Sequence, residues 1–217
     1  MDVQDLSKRI DHTLLRADAS WQEIKKLCDE ALRFKTATVC IPPSFVKPVY
    51  DEYGHDPVIC TVIGFPLGYS VTSVKILETE LAIKNGAAEI DMVINIGDVK
   101  NGRFDTVQEE IRLLKKTCAD KILKVIVETC YLSTDEKVRL CKIVSEAGAD
   151  FIKTSTGFGS AGAALEDVKL MKKHVTSPVK IKAAGGIRTR EDSLAFIEAG
   201  ADRIGTSSTA KILLSIP

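Results

Sequence analysis

Asn85-Gly86-Ala87-Ala88-Glu89-Ile90-Asp91 recurs in outline as Ala147-Gly148-Ala149-Asp150-Phe151-Ile152-Lys153, and again as Ala199-Gly200-Ala201-Asp202-Arg203-Ile204-Gly205. Each copy reads as a helix end closed by glycine, a two-residue turn and the opening of an apolar strand. The fifth residue after the glycine is Asp91, Lys153 and Gly205 in turn. Around these echoes lie short β-branched runs at Ile10–Leu15, Ala37–Ile41, Val58–Phe65, Glu89–Asn95, Leu123–Glu128, Asp150–Thr154, Val179–Ala183 and Asp202–Thr206. Helical periodicity fills the gaps, as in Trp21–Phe34, Val74–Lys84, Val107–Cys118, Val138–Ala147 and Ser193–Ala199. Capping-box patterns at Ser20-x-x-Glu23 and Ser133-x-x-Glu136 mark two of the helix starts.

Strands alternating with helices predict a parallel α/β sheet. The echoes open the fourth, sixth and eighth strands, and in an eightfold barrel alternate strands supply one layer of inward side chains. Asp91 and Lys153 are therefore expected in one layer, with Gly205 leaving space beside them. The expectation is a (β/α)8 TIM barrel, a single domain over residues 1–217. An open doubly wound sheet has fewer strands and a glycine-rich first turn, which this sequence lacks.

Composition narrows the function classes. Thirty basic and thirty acidic side chains balance, which argues against nucleic acid or an anionic membrane as partner. No apolar stretch approaches the length of a membrane span. The first ten residues lack a signal-peptide core. Six cysteines are scattered without a Cys-x-x-Cys pair, and the three histidines are far apart, so reduced thiols in a cytoplasmic protein are expected and no metal site.

The chemistry is expected at two lysines that end apolar runs and lead into small residues, Lys153 and Lys182. An ammonium in low dielectric is disfavoured. If both point into one pocket, a second ammonium about 4 Å away contributes on the order of 4 kcal/mol at an effective dielectric of about 20. That is roughly three pKa units, enough to bring a lysine of ordinary pKa about 10.4 toward its neutral, nucleophilic form. The alternative is structural: each lysine paired with a carboxylate at the barrel mouth. Two such lysines on adjacent strands favour the chemical reading.

Asp91 ends an apolar strand and is expected to pair with a lysine or to move protons. Asp11 and Glu128, also at expected strand ends, read as hydrogen-bonding supports. Lys124 lies four residues before Glu128 on one face, so the two could form a buried pair. Three turns look built for an anion: Thr154-Ser155-Thr156-Gly157, Gly185-Gly186-Ile187-Arg188 and Gly205-Thr206-Ser207-Ser208. Barrels often bind phosphate in the loops after strands seven and eight. Cys40 ends the second strand, with buried packing its expected role, and His12 is expected to point out of the barrel.

Taken in order, several segments resemble the deoxyribose-phosphate aldolase family: Ile10-Asp11-His12-Thr13-Leu14, Val39-Cys40-Ile41-Pro42-Pro43, Gly64-Phe65-Pro66-Leu67-Gly68, Glu89–Asn95, Lys124–Thr129, the two lysine segments and Arg203–Ser208. The resemblance spans nearly the whole chain. It implies a cofactor-free class I aldolase that reversibly splits 2-deoxy-D-ribose 5-phosphate into D-glyceraldehyde 3-phosphate and acetaldehyde, in deoxyribose catabolism. By motif, Lys153 is the expected Schiff-base lysine, Lys182 the perturbing charge and Asp91 a proton-transfer group acting with a bound water. The resemblance also implies that Cys40 lines the pocket and that Asp11, Thr13, Lys124 and Glu128 support the network. Gly157, Gly185, Gly186, Ser207 and Ser208 are expected to hold the phosphate, and Thr156 and Gly205 belong to the same turns. A homodimer is expected by resemblance alone, since no amphipathic segment advertises an interface. Another phosphosugar barrel enzyme, an isomerase or a different Schiff-base aldolase, and a non-catalytic phosphometabolite binder are the alternatives.

Three departures from the family pattern carry expectations. Thr209 stands where many members have glycine, which is expected to narrow the phosphate end. Lys180, two residues before Lys182, is expected on the same inward face, where it needs a carboxylate or alters the charge balance. The sequence closes on Ser215-Ile216-Pro217 without a terminal tyrosine, so no proton relay through such a tail is expected.

Overall fold

The computed structural model describes residues 1–214; Ser215 to Pro217, and with them the expectation about a C-terminal tail, lie outside the described residues. In chain order the elements are α1 (Val3–Ser7), β1 (Ile10–Thr13), α2 (Trp21–Phe34), β2 (Thr38–Ile41), α3 (Val46–Tyr53), β3 (Ile59–Ile63), α4 (Thr72–Lys84), β4 (Glu89–Val93) and α5 (Ile96–Lys100). They continue with α6 (Phe104–Cys118), β5 (Ile122–Ile126), α7 (Thr134–Glu146), β6 (Phe151–Lys153), α8 (Leu165–His174), β7 (Lys180–Ala184), α9 (Arg190–Glu198), β8 (Arg203–Thr206) and α10 (Thr209–Leu214). The eight strands pair in parallel in sequence order and β8 returns to β1, which closes the barrel. It is the expected (β/α)8 TIM barrel.

Local chemistry fixes the helix starts. Ser20 and Ser133 both form complete capping boxes with Glu23 and Glu136. A third box, Thr189 with Asp192, starts α9 with aspartate as the reciprocal residue. Hydrogen bonds of this kind satisfy amides that have no intrahelical acceptor.

Strand alternation then sorts the side chains. Val39, Ile41, Ile59, Ile63, Ile90, Met92, Leu123, Val125, Ile152, Ile181 and Ile204 join one core with the apolar faces of the helices. Burial of such a side chain is worth roughly 1.5–3 kcal/mol, so this layer supplies much of the stability. The opposite set faces inward and includes six buried ionisable side chains, Asp11, Glu89, Asp91, Lys124, Lys153 and Lys182. Barrel interiors are more often filled by branched apolar residues. This one holds a cluster of ionisable groups beside apolar ones.

Lys180 departs from its expected place. It opens β7 exposed to solvent, with its ammonium 5.8 Å from the centre of the Phe151 ring. A strand's first residue lies at the barrel rim, where a long side chain reaches water, so its charge stays out of the interior.

Candidate active site

The inward charges form one network around Asp91, on β4. Oδ2 of Asp91 accepts hydrogen bonds from Lys153 Nζ, on β6, and from Lys182 Nζ, on β7, each at 2.7 Å. Oδ1 accepts from Lys124 Nζ, on β5, also at 2.7 Å. Neighbouring register explains the meeting: Asp91 lies opposite Lys124, and Lys153 opposite Lys182. Asp11, on β1, pairs with Lys182 at 2.5 Å and with Arg203 at 2.5 Å. Glu89 pairs with Lys124 at 2.6 Å and with Arg203 at 3.3 Å.

Four cations thus face three carboxylates. Lys124 has three carboxylates within ion-pair reach, while Lys182 and Arg203 have two each. Among the described residues Lys153 has Asp91 alone. The charges act on one another strongly because burial removes water from between them. Burial opposes ionisation of Asp91, but Lys124, Lys153 and Lys182 overcome it and hold the carboxyl well below the usual range. Asp11 is likewise lowered, against its burial, by Lys182, Lys124 and Arg203. Burial disfavours the Lys182 ammonium, yet Asp11 and Asp91 outweigh that and raise its pKa. Lys182 is a fixed cation.

Gly205 makes room for it. A Cβ there would lie 2.9 Å from the Ala184 Cβ and 3.2 Å from Lys182 Cε. This is the space beside the lysine layer that the sequence echo implied.

Above the network opens a cavity of about 460 Å3, within the usual range for small-molecule sites. Its lining brings together Thr13, Lys153, Thr156, Gly157, Gly185, Gly186, Gly205 and Ser207. The three turns are tied to one another. Thr154 Oγ1 donates to Ala184 O at 3.2 Å, Thr206 Oγ1 donates to Ile187 O at 2.7 Å, and Thr206 Oγ1 accepts from Ser208 N at 3.0 Å. Gly185 adopts φ +92°, and a Cβ on it would lie 3.0 Å from Gly162 Cα, so glycine is needed where these loops meet.

Other expected residues stand outside the lining. Lys182, Lys124, Asp91 and Asp11 are fully buried and do not line the cavity, whereas Lys153 of the same network reaches it. Cys40 is also fully buried and off the cavity wall, packed with Cys60 and Val62. Ser208 and Thr209 do not line the cavity either, and Thr209 is buried at the start of α10, so it leaves the cavity lining unchanged. His12 points outward as expected, with Nε2 2.9 Å from Glu30 on α2.

The Lys124–Glu128 pair does not form. Glu128 falls after the end of β5 with φ +54°, which turns its side chain away from the strand's inward row. It instead accepts hydrogen bonds from Thr156 N, at 3.2 Å, and from Thr156 Oγ1. Glu128 therefore shapes the loop after β6 from the neighbouring loop.

Two clusters of potential metal donors, Cys40 with Cys60 and Asp91, and Asp11 with Cys60 and Glu89, occur among the described residues. Lys124 Nζ already sits between them, 3.3 Å from Cys60 Sγ, 2.7 Å from Asp91 and 2.6 Å from Glu89. An ammonium meets the charge that a metal ion would otherwise meet. All six cysteines are free.

Residues 6–214 match the DeoC/LacD family of aldolases. This chain belongs to that family. A deoxyribose-phosphate aldolase of Clostridium botulinum (strain Alaska E43 / Type E3) is 56% identical to it over 213 residues, 98% of this chain and 96% of that protein. One from Streptococcus pyogenes serotype M4 (strain MGAS10750) is 57% identical over 213 residues, with the same coverage of both chains. The solved structure of a deoxyribose phosphate aldolase from Aeropyrum pernix, described as tetrameric, has a TM-score of 0.89 at 31% identity and covers 99% of this chain and 92% of that one.

Sequence reasoning missed several residues of this DeoC/LacD aldolase. Glu89 and Arg203 complete the buried network, and both occupy the third position after the glycine of the echo, with Phe151 as the third member. The Arg203 guanidinium lies 5.5 Å from the Phe151 ring centre, so the three meet in a layer below Asp91 and Lys153. Arg16 was also missed, whereas Arg188 belongs to one of the three anion turns read in the sequence. With Lys153 these two arginines are the charged residues of the cavity lining, which among the described residues holds no carboxylate.

Proposed function

We propose that this protein is a deoxyribose-phosphate aldolase, a carbon–carbon lyase that reversibly cleaves 2-deoxy-D-ribose 5-phosphate to D-glyceraldehyde 3-phosphate and acetaldehyde. The observation that carries the reading is one lysine in a cavity whose charged lining residues, among those described, are all cations, above a buried network with one more cation than carboxylates. Family membership and the curated relatives' names support it.

Lys153 is the Schiff-base residue of this mechanism. Among the described residues, Lys153 is the member of the network with one carboxylate neighbour and access to the cavity. The free amine adds to the C1 aldehyde of the open-chain sugar, and loss of water gives a protonated imine. That cation draws in the electron pair of the C2–C3 bond as it breaks. The C3 hydroxyl gives up its proton and C3 becomes the aldehyde of glyceraldehyde 3-phosphate. The remaining enamine takes a proton at C2, and water returns acetaldehyde and the amine.

Lys182 holds positive charge at a fixed place throughout, and Asp91 lies within hydrogen-bond reach of the Lys153 nitrogen that adds to the sugar. Fixed charges of this kind stabilise the transition state without reorganising. Asp11, Lys124, Glu89 and Arg203 hold the pair in place. The phosphate end lies among Thr156, Gly157, Gly185, Gly186, Ser207 and Arg188. Backbone amides freed by glycine and an arginine fork suit a dianion.

A homodimer is part of the proposal. Val74, Leu77 and Leu81 form an exposed apolar stripe on α4, continued by Leu67, Tyr69 and Val71 in the loop before it. The sequence hid this stripe because α4 also buries apolar residues on its other side. Sedimentation should give a dimer that Leu77→Glu weakens; a monomeric parent protein would remove this part.

The activity is tested by supplying 2-deoxyribose 5-phosphate and measuring both products. Release of acetaldehyde and glyceraldehyde 3-phosphate in equal amounts is expected. Conversion to an isomeric phosphosugar with no acetaldehyde would place the protein among the barrel isomerases instead.

A further inference from the structure

Arg16 lines the cavity while its guanidinium pairs with surface carboxylates. It sits just past the end of β1, and β1 pairs directly with β8, whose following turn carries Ser207. Arg16 and Ser207 share the cavity wall. The Arg16 guanidinium donates to Asp18 at 2.9 Å and to Glu23 at 2.5 Å. All three side chains are well exposed, so water screens these pairs and each is worth little. Glu23 also has a second task that does not need Arg16. Its Oε2 closes the α2 capping box on Ser20, while Arg16 uses Oε1. Withdrawal of the arginine leaves the helix cap intact.

We infer that Arg16 is a specificity residue, a phosphate clamp that leaves Asp18 and Glu23 when a phosphorylated sugar enters and closes over the phosphate from the β1 side. This rests on the phosphosugar reading above and adds a residue to it. Ser207 and the turn at Gly185 and Gly186 line the cavity from the β7 and β8 loops, and Leu14, Leu15 and Arg16 line it from the loop after β1. A guanidinium there can form two parallel hydrogen bonds to a phosphate, each charge-assisted. Exchange of a screened carboxylate pair for a dianion in a recessed site favours the inward position.

The test compares Arg16→Gln and Arg16→Lys with the parent enzyme on 2-deoxyribose 5-phosphate and on unphosphorylated 2-deoxyribose. For Arg16→Gln the expected result is a KM for the phosphorylated sugar raised roughly tenfold, with kcat within about twofold. Kinetics on 2-deoxyribose should be unchanged, and Arg16→Lys should recover part of the loss. Asp18→Asn, which frees Arg16 from one anchor at the surface, should lower the KM for the phosphorylated sugar.

An unchanged KM in Arg16→Gln, or equal losses on both sugars, would overturn the clamp. Borohydride trapping with acetaldehyde needs no phosphate and keeps the two readings apart. If the parent protein forms the Lys153 adduct while Arg16→Gln binds the phosphosugar normally, the clamp alone fails. If the parent forms no adduct, the aldolase reading fails.

Discussion

The ammonium nitrogens of Lys153 and Lys182 donate to one and the same oxygen of Asp91, each at 2.7 Å. They are therefore no farther apart than twice that distance, yet a carboxylate stands between them. Repulsion between two lysines is thus only part of the electrostatics. Asp91 brings the two together and Asp11 fixes the charge of Lys182, while the surplus cation of the network bears on Lys153.

Lys182→Met removes that fixed cation and leaves Asp91 and Asp11 with less positive charge nearby. Protonation of the amine on β6 becomes easier, so a higher pH is needed for imine formation. The pH midpoint of adduct formation should move up by more than about one unit, given a Coulomb interaction of a few kcal/mol over this separation. An unchanged pH profile would remove Lys182 from its role.

Asp91→Asn leaves three buried lysines without the carboxylate they share. The cost to stability is about 3–5 kcal/mol, as for other buried pairs broken from one side. Turnover should fall by about a hundredfold or more through loss of proton transfer, while the adduct still forms slowly. Chemical denaturation and single-turnover kinetics check the two parts, and normal turnover would contradict the assignment.

The depressed carboxyls of Asp11 and Asp91 also set a pH dependence of folding. An unfolded aspartate titrates near about pH 3.9. Above that value both groups are ionised in either state and their stabilisation is complete. As pH falls below it, the unfolded chain binds protons that the folded network refuses, so stability declines toward the folded pKa values. Urea unfolding between neutral pH and about pH 3 should show this fall, with a shallower slope in Asp11→Asn. A parent protein equally stable at both ends would contradict the ion network.

Much of this was legible in the sequence, because the barrel repeats its own chemistry. The glycine echo placed Asp91 and Lys153 in one layer and left space at Gly205, and the structure has both. The same echo held Glu89, Phe151 and Arg203 two residues earlier, but a lower layer is recognisable only once the upper one is known. Glu128 misled because its left-handed backbone breaks the alternation on which same-face arguments depend. Lys180 misled because periodicity cannot say where a strand meets solvent. Arg16 gave no local signal at all. It belongs to the cavity through the pairing of the first strand with the last, a contact nearly the whole chain apart.

Gly205→Ala tests the fit around Lys182. The added methyl would meet the fixed Ala184 Cβ at 2.9 Å and the Lys182 side chain at 3.2 Å. Overpacking of this kind costs about 1–3 kcal/mol. Activity should fall with the pH profile displaced, since Lys182 must shift from its carboxylates. Full activity with unchanged thermal stability would show that the space at Gly205 is not needed.

The most direct test of the central claim is reduction with borohydride in the presence of acetaldehyde, followed by peptide mapping. The account predicts a single N-ethyl group on Lys153, absent from Lys153→Arg. Label on Lys182 or Lys124 in its place, or no label under conditions that modify a known Schiff-base aldolase, would contradict it.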